Sequence, residues 1–276
     1  MRSSRWLVLG LVAVAALGIA GGALAVGPWP GLARTVFSPS GEVRYTAVRA
    51  GGATTIKAIQ VVEPSVLASA RIRGSYGIPA VTIDGAGGGL SPDGRLLVLV
   101  APPTYQGLRA HSTFQLVSTS RLRRAGTIVL PGEFGFDAIS PDGRTLYLIQ
   151  HTSTSDLVRY VVRAYDLRTK RLLPGAITDP REPGEAMKGY PVARATSQHG
   201  AWVYTLYLRM GAKPFVHALD AARRTAFCID LPWTGSTDDV WNARLELASG
   251  GGVLQVRSGG AVVAQVDTKT LRVSVP

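Results

Sequence analysis

A single cysteine, Cys228, leaves the chain without an intramolecular disulfide or a cysteine-based metal site. It lies in the apolar run Ala226–Ile229, where a buried, inert thiol is expected. Histidine is almost as sparse. His111, His151 and His217 sit at unrelated spacings, and no His-x-x-x-His pair marks a metal site. There is no Gly-x-Ser-x-Gly elbow for a hydrolase nucleophile. The glycine run from Gly85 to Gly89 lacks the Gly-Lys-Ser/Thr and the helix of a phosphate loop. It reads instead as a place where backbones approach closely. No cofactor is expected.

Acidic residues are in deficit, 18 against 30 basic ones, which gives a net charge of +12. Such a surface suits an anionic partner, a protein or a cell-envelope polymer. The alternative is a general preference for arginine, because the 25 Arg are spread along the chain. The tight clusters, Arg121, Arg123, Arg124 and Arg168, Lys170, Arg171, fall in expected hairpin turns and have no interleaved aromatics. Nucleic-acid binding is therefore not expected.

Long hydrophobic runs are missing except at the start. Arg2 and Arg5 precede 21 uncharged residues from Trp6 to Val26. That is the basic-then-apolar pattern of an export signal, with Ala23-Leu24-Ala25 as small residues for cleavage. The run also approaches the ~20 residues of a membrane-spanning helix. A signal peptide and a signal anchor over residues 1–26 both remain open. In either case the body, residues 27–276, is expected outside the cytoplasmic membrane, secreted or held by its N-terminus. No cysteine follows the run to carry a lipid.

What the chain has in quantity is turns, with 32 Gly and 17 Pro scattered through it. One turn recurs: Ser38-Pro39-Ser40-Gly41, Ser91-Pro92-Asp93-Gly94, Ser140-Pro141-Asp142-Gly143, Ser197-Gln198-His199-Gly200 and Ser249-Gly250-Gly251-Gly252. The intervals are 53, 49, 57 and 52 residues. Pro presets φ at the first central position, and Gly accepts the left-handed conformation that closes the turn. A strand-like run follows each copy. A second turn recurs in phase at Glu63, Ser118, Asp166, Asp220 and Asp267, where a short side chain can bond the backbone just ahead.

Each unit thus reads as four strands, the size of a propeller blade at about 40–50 residues. The pattern resembles the bacterial β-propeller repeats of the YVTN and TolB-like type. In those, a Ser-Pro-Asp-Gly turn separates the two inner strands and an Asp-x-x-Thr turn the two outer ones. The resemblance implies an all-β propeller of about five four-stranded antiparallel blades after one N-terminal apolar helix. The blades fall near residues 32–73, 86–130, 135–178, 193–231 and 243–276. A curved, incomplete propeller or a two-sheet sandwich is the alternative. These families include binding proteins, scaffolds and a few enzymes, so the resemblance does not fix a function.

In such a fold the Ser-Pro and Asp turns share one face. The longer loops, such as Gly74–Gly87, Pro102–Ser112 and Asp179–Val192, share the other, and binding is expected there. Three residues before each turn Ser stand Thr35, Gly88, Asp137, Arg194 and Glu246, expected at the channel mouth. Arg194 is expected to pair with Asp137 and Glu246, as an ion network or as a grip on an anionic ligand. His111, His151 and the loop aromatics Tyr76, Tyr105, Phe134, Tyr190 and Trp241 complete the candidates, whereas His217 reads as core. The expected function is a monomeric, non-catalytic binding or scaffold propeller. The alternative is an exported glycan hydrolase with Asp137 and Glu246 as its two carboxylates.

Overall fold

The computed structural model describes residues 30–103, 108–156, 158–185 and 187–276. The expected N-terminal helix and Tyr105 lie outside them. Among the described residues no helix is long and apolar enough to cross a membrane. The chain is all-β and propeller-like, a succession of antiparallel meanders whose strands pair in sequence order.

Sheet I comprises Thr35–Phe37, Val43–Ala50, Ala53–Gln60 and Val66–Arg73. Sheet II comprises Leu96–Val100, His111–Ser118 and Arg123–Pro131. Its expected inner strand is reduced to one bridge, Leu90 to Leu97. Sheet III comprises Glu133–Ile139, Thr145–His151, Arg159–Asp166 and Arg171–Leu172, with Met187–Lys188 also pairing its third strand. Sheet IV comprises Tyr190–Thr196, Trp202–Leu208, Phe215–Asp220 and Thr225–Asp230. Sheet V comprises Arg244–Leu247, Val253–Ser258, Ala261–Asp267 and Val273–Ser274. A two-stranded pair, Leu32–Ala33 with Ile78–Pro79, sits beside sheets I and II.

Side-chain alternation gives each strand two faces, and here both faces of sheets II, III and IV are apolar. Successive sheets pack through four clusters. Tyr45, Ile56 and Ile72 of sheet I meet Leu97, Leu99 and Val117 of sheet II. Val98, Phe114 and Ile128 meet Phe136, Leu146 and Leu148 of sheet III. Tyr147, Tyr160 and Val162 meet Val203, Tyr207 and Leu219 of sheet IV. Tyr204, Leu206 and Val216 meet Leu254, Val256 and Val266 of sheet V. Among the described residues no such cluster joins sheet V to sheet I.

The turns form as their chemistry dictates. Gly94, Gly143 and Gly200 donate their N–H groups to the carbonyls of Ser91, Ser140 and Ser197 at 2.8, 2.9 and 2.9 Å. In sheet V the same bond runs from Gly251 to Ala248, at 2.8 Å. The fifth turn is therefore Ala248–Gly251, one residue earlier than the serine suggested. At the outer turns, Asp166 Oδ1 accepts from the N–H groups of Arg168 and Thr169, both at 2.8 Å. Asp267 Oδ1 accepts from those of Lys269 and Thr270, at 3.0 and 2.7 Å. The residues that follow, Lys170 and Leu271, hold φ of +57° and +58°. The basic clusters lie in these exposed hairpin regions.

Candidate functional site

The principal cavity, about 570 Å³, lies among the inner strands of sheets I, III and IV and the Gly87–Pro92 segment of sheet II. Phe37, Pro39, Pro92 and the turn from Ser197 to Gly200 line its end at the Ser-Pro turns. It therefore opens on the Ser-Pro-turn face, opposite to the expected one. The reason is the long loop after sheet I. It turns back through a bridge between Ala80 and Gly87. The N–H of Ile83 donates to the carbonyl of Pro191 in sheet IV, 2.9 Å away. Val81 then sits among Phe136, Arg194 and Tyr207, where only about 20 Å³ remains beside Pro30 and His151. A loop long enough to carry a site instead forms a plug against sheets III and IV.

The glycine run makes the plug possible. A Cβ on Gly87 would lie 2.0 Å from the carbonyl oxygen of Thr35, and one on Gly88 would lie 2.4 Å from Val81 Cγ1. This is the close backbone approach expected of the run.

Asp137 and Arg194 both line the cavity wall. Their side chains are 3% and 11% exposed. Arg194 Nη2 donates to Asp137 Oδ1, Nη1 to the Asp137 carbonyl at 2.6 Å, and Nε to Thr205 Oγ1 at 3.1 Å. All three guanidinium nitrogens thus have a protein acceptor. Glu246 does not join them. It is 58% exposed on sheet V, 3.7 Å from Arg257, and does not line the cavity. With the fifth turn at Ala248, the residue three positions earlier is Leu245, which is buried. A one-residue slip along a strand exchanges its faces, and this carries Glu246 to the other side.

The remaining candidates are dispersed. His151 is buried, its ring 5.7 Å from that of Tyr160. His111 is exposed at the start of the second strand of sheet II. Tyr190 is half-buried with its ring 5.9 Å from Trp241. Phe134 is buried in the core between sheets II and III, and Tyr76 packs on that between I and II. His217 is buried in the third strand of sheet IV, where loss of water holds its imidazole down to about 4. Cys228 is half-buried, and desolvation pushes its thiol up to about 12. Burial also raises the phenols of Tyr160 and Tyr207. Among the described residues no three His, Cys, Asp or Glu side chains are placed to hold a metal ion.

Two ionic anchors were not foreseen. Arg109 Nη2 meets the buried Glu133 Oε1 at 2.5 Å, and its own N–H donates to Oε2 at 2.7 Å. Asp179 pairs with Arg181 at 2.5 Å and accepts from the N–H of Cys228 at 2.8 Å, while Arg181 donates to the Cys228 carbonyl at 2.9 Å. The second anchor occupies the open edge of sheet IV, which would otherwise present unpaired backbone groups. The partners lie 24 and 2 residues apart in sequence, with no shared motif. Only a carboxylate beside an arginine in a long loop hinted at the second.

No protein-family model matches the chain, and no curated protein matches it by sequence. Solved structures do. A functionally unknown protein from Desulfotomaculum acetoxidans DSM 771 superposes with a TM-score of 0.52 at 12% identity, covering 88% of this chain and 68% of that one. The beta-propeller domain of Cps50 (Swd1) from Myceliophteria thermophila gives 0.50 at 12% identity, over 90% and 71%. A chain of the Mitotic Checkpoint Complex gives 0.50 at 14%, over 98% and 74%. At these identities the likeness is one of fold.

Proposed function

We propose that the protein is a non-catalytic binding or scaffold propeller of five sheet units, working outside the cytoplasmic membrane. The observation that carries the binding role is the cavity of about 570 Å³, open between Ser-Pro turns and floored by Asp137 and Arg194. Its size falls in the range of small-ligand pockets. The basic and apolar pattern of residues 1–26 supports the location, and the turn sequences support kinship with the YVTN and TolB-like type. Each nitrogen of Arg194 already donates to Asp137 or Thr205, so the pair serves to join sheets III and IV and the ligand meets the rim. The hydrolase alternative loses its second carboxylate, because Glu246 does not line the cavity.

A thermal-shift screen of the full-length chain against short peptides and glycans tests the reading. The expected result is a ligand that raises the melting temperature of the wild type but not of Thr196→Trp, since Thr196 lines the cavity and the larger side chain fills part of it. Equal shifts in both, or no shift with any probe, would remove the cavity as the site. Glycan hydrolysis that disappears in Glu246→Gln would restore the enzyme reading.

A further inference from the structure

Counting from the turn glycines Gly41, Gly94, Gly143, Gly200 and Gly251 aligns the five sheets residue by residue. The third residue on is Leu97, Leu146, Val203 and Leu254 in sheets II to V, each buried against the preceding sheet. In sheet I it is Arg44. The fifth residue on is Leu99, Leu148, Thr205 and Val256, again buried, but Thr46 in sheet I. The fourth residue on faces the following sheet. It is Tyr45, Val98, Tyr147 and Tyr204 in sheets I to IV, all buried, but Gln255 in sheet V. The two faces that would meet in a closed ring are thus the two that abandon the apolar pattern.

The sheet I face is basic and the sheet V face mixed. Sheet I presents Arg44, Lys57 and Arg71 along the rows Phe37–Arg44–Ile59, Thr46–Lys57–Ser69 and Val48–Thr55–Arg71. Sheet V presents Arg244 and Arg257 together with two carboxylates, Glu246 beside Arg257 and Asp267 opposite Val253. Closing these faces on each other would bury the cations of sheet I against carboxylates already engaged, Glu246 with Arg257 and Asp267 with the N–H groups of its own turn, which is unfavourable. A second copy of a chain with net charge +12 is disfavoured by like-charge repulsion. Yet the sheet I face is not simply a solvated one. Phe37 and Val48 are 51% and 58% exposed on it, and Val66 and Leu67 are 56% and 54% exposed at its edge. A purely polar polyanion would leave this apolar area wet, whereas a strand with alternating side chains would cover it.

We propose that the seam between sheets V and I binds an extended acidic segment of a partner protein, whose carboxylates meet Arg44, Lys57 and Arg71 and whose apolar side chains cover Val48 and Val66. This goes beyond the cavity reading and stands without it.

The test is fluorescence anisotropy with full-length protein and a labelled dodecapeptide of alternating Glu and Leu, at about 0.15 M salt. Binding is expected, weakened at least about tenfold in Arg44→Glu/Lys57→Glu. It should be retained in Lys57→Arg and unchanged in the cavity variant Thr196→Trp. The altered residues are on the seam face, so melting temperatures should stay the same, and the charge-preserving variant guards against a folding artefact. Absence of binding, or binding indifferent to the double variant, overturns the proposal. So does displacement of the peptide by an equal charge of inorganic polyphosphate, or equal binding of phosphatidylglycerol vesicles, since either would make charge alone sufficient. Loss of binding in Thr196→Trp would assign the peptide to the cavity and likewise overturn it.

Discussion

Asp137 and Arg194 are charges withdrawn from water, and such a pair is held in place because neither member can be removed alone. Asp137→Ala would leave the guanidinium buried with two acceptors where it now has three. We expect a loss of about 3–5 kcal/mol in denaturant unfolding. A loss below about 1 kcal/mol would mean that water reaches Arg194 and that the pair is open to a ligand. His217 gives a second, pH-dependent expectation. Its ordinary value is 6.5, and burial first of all, helped by Arg194 and opposed by Asp137 and Asp179, brings it to about 4. Between these values the unfolded chain binds a proton that the folded protein refuses. Stability therefore falls as pH drops from 6.5 to 4, by up to about 1.4 kcal/mol per pH unit, and His217 adds no slope above that window. Urea titrations at pH 7, 5.5 and 4.5 should show this slope in the wild type and lose most of it in His217→Gln. Equal slopes in the two proteins would show that the imidazole is not shielded.

At the level of strands and turns, the Ser-Pro-Asp-Gly unit is a local device. Asp142 Oδ1 accepts the Arg144 N–H at 3.1 Å and the Ser140 hydroxyl at 2.5 Å, and the serine bond first of all holds the Asp142 carboxyl below its usual range. Its side chain is largely exposed, so Asp142→Ala should cost only about 1 kcal/mol, as for a lost cap. Gly143 has φ of +68° with open space around it, so a side chain there meets strain and no clash. Gly143→Val should cost more, about 2 kcal/mol, and melting curves of the two variants check the order. Such turns were legible in the sequence because their chemistry is local: the phase of the repeat, the outer Asp turns and the glycine approach all follow from neighbouring residues. What was not legible depended on register or on distant contacts. In the fifth copy the turn residues are Ala248, Ser249, Gly250 and Gly251, and the serine one place late moved Glu246 to the wrong face. The loop after sheet I was readable as long, but its closure onto Pro191 depends on a contact over 100 residues away. The Arg109–Glu133 anchor had no periodic signal at all.

At the scale of the molecule, the described residues form four apolar interfaces joining five sheets, a chain of nearest neighbours whose ends differ from its middle. Sheets II, III and IV each contribute to two of the clusters, whereas sheets I and V contribute to one. In such an array stability is roughly a sum of unit and interface terms, and the ends open first. The outer strand Val66–Arg73 of sheet I is almost wholly exposed, in keeping with an end position. A closed ring would behave otherwise, because opening any sheet would break two interfaces. Native-state hydrogen exchange separates the cases. Amides of Val43–Ala50 and Val253–Ser258 should open with a free energy below that of global unfolding, while those of Thr145–His151 and Trp202–Leu208 should open only with it. A substitution confined to one end core should keep this hierarchy. Ile56→Ala, which empties a fully buried position between sheets I and II, should cost about 2–5 kcal/mol for sheet I. It should leave sheet IV exchanging as before, as long as sheets III to V remain folded together. Uniform protection across all five sheets in the wild type, or equal loss in sheets I and IV of the variant, would mean that sheets V and I are joined in solution. The polar residues Arg44, Thr46 and Gln255 would then have to be buried in pairs.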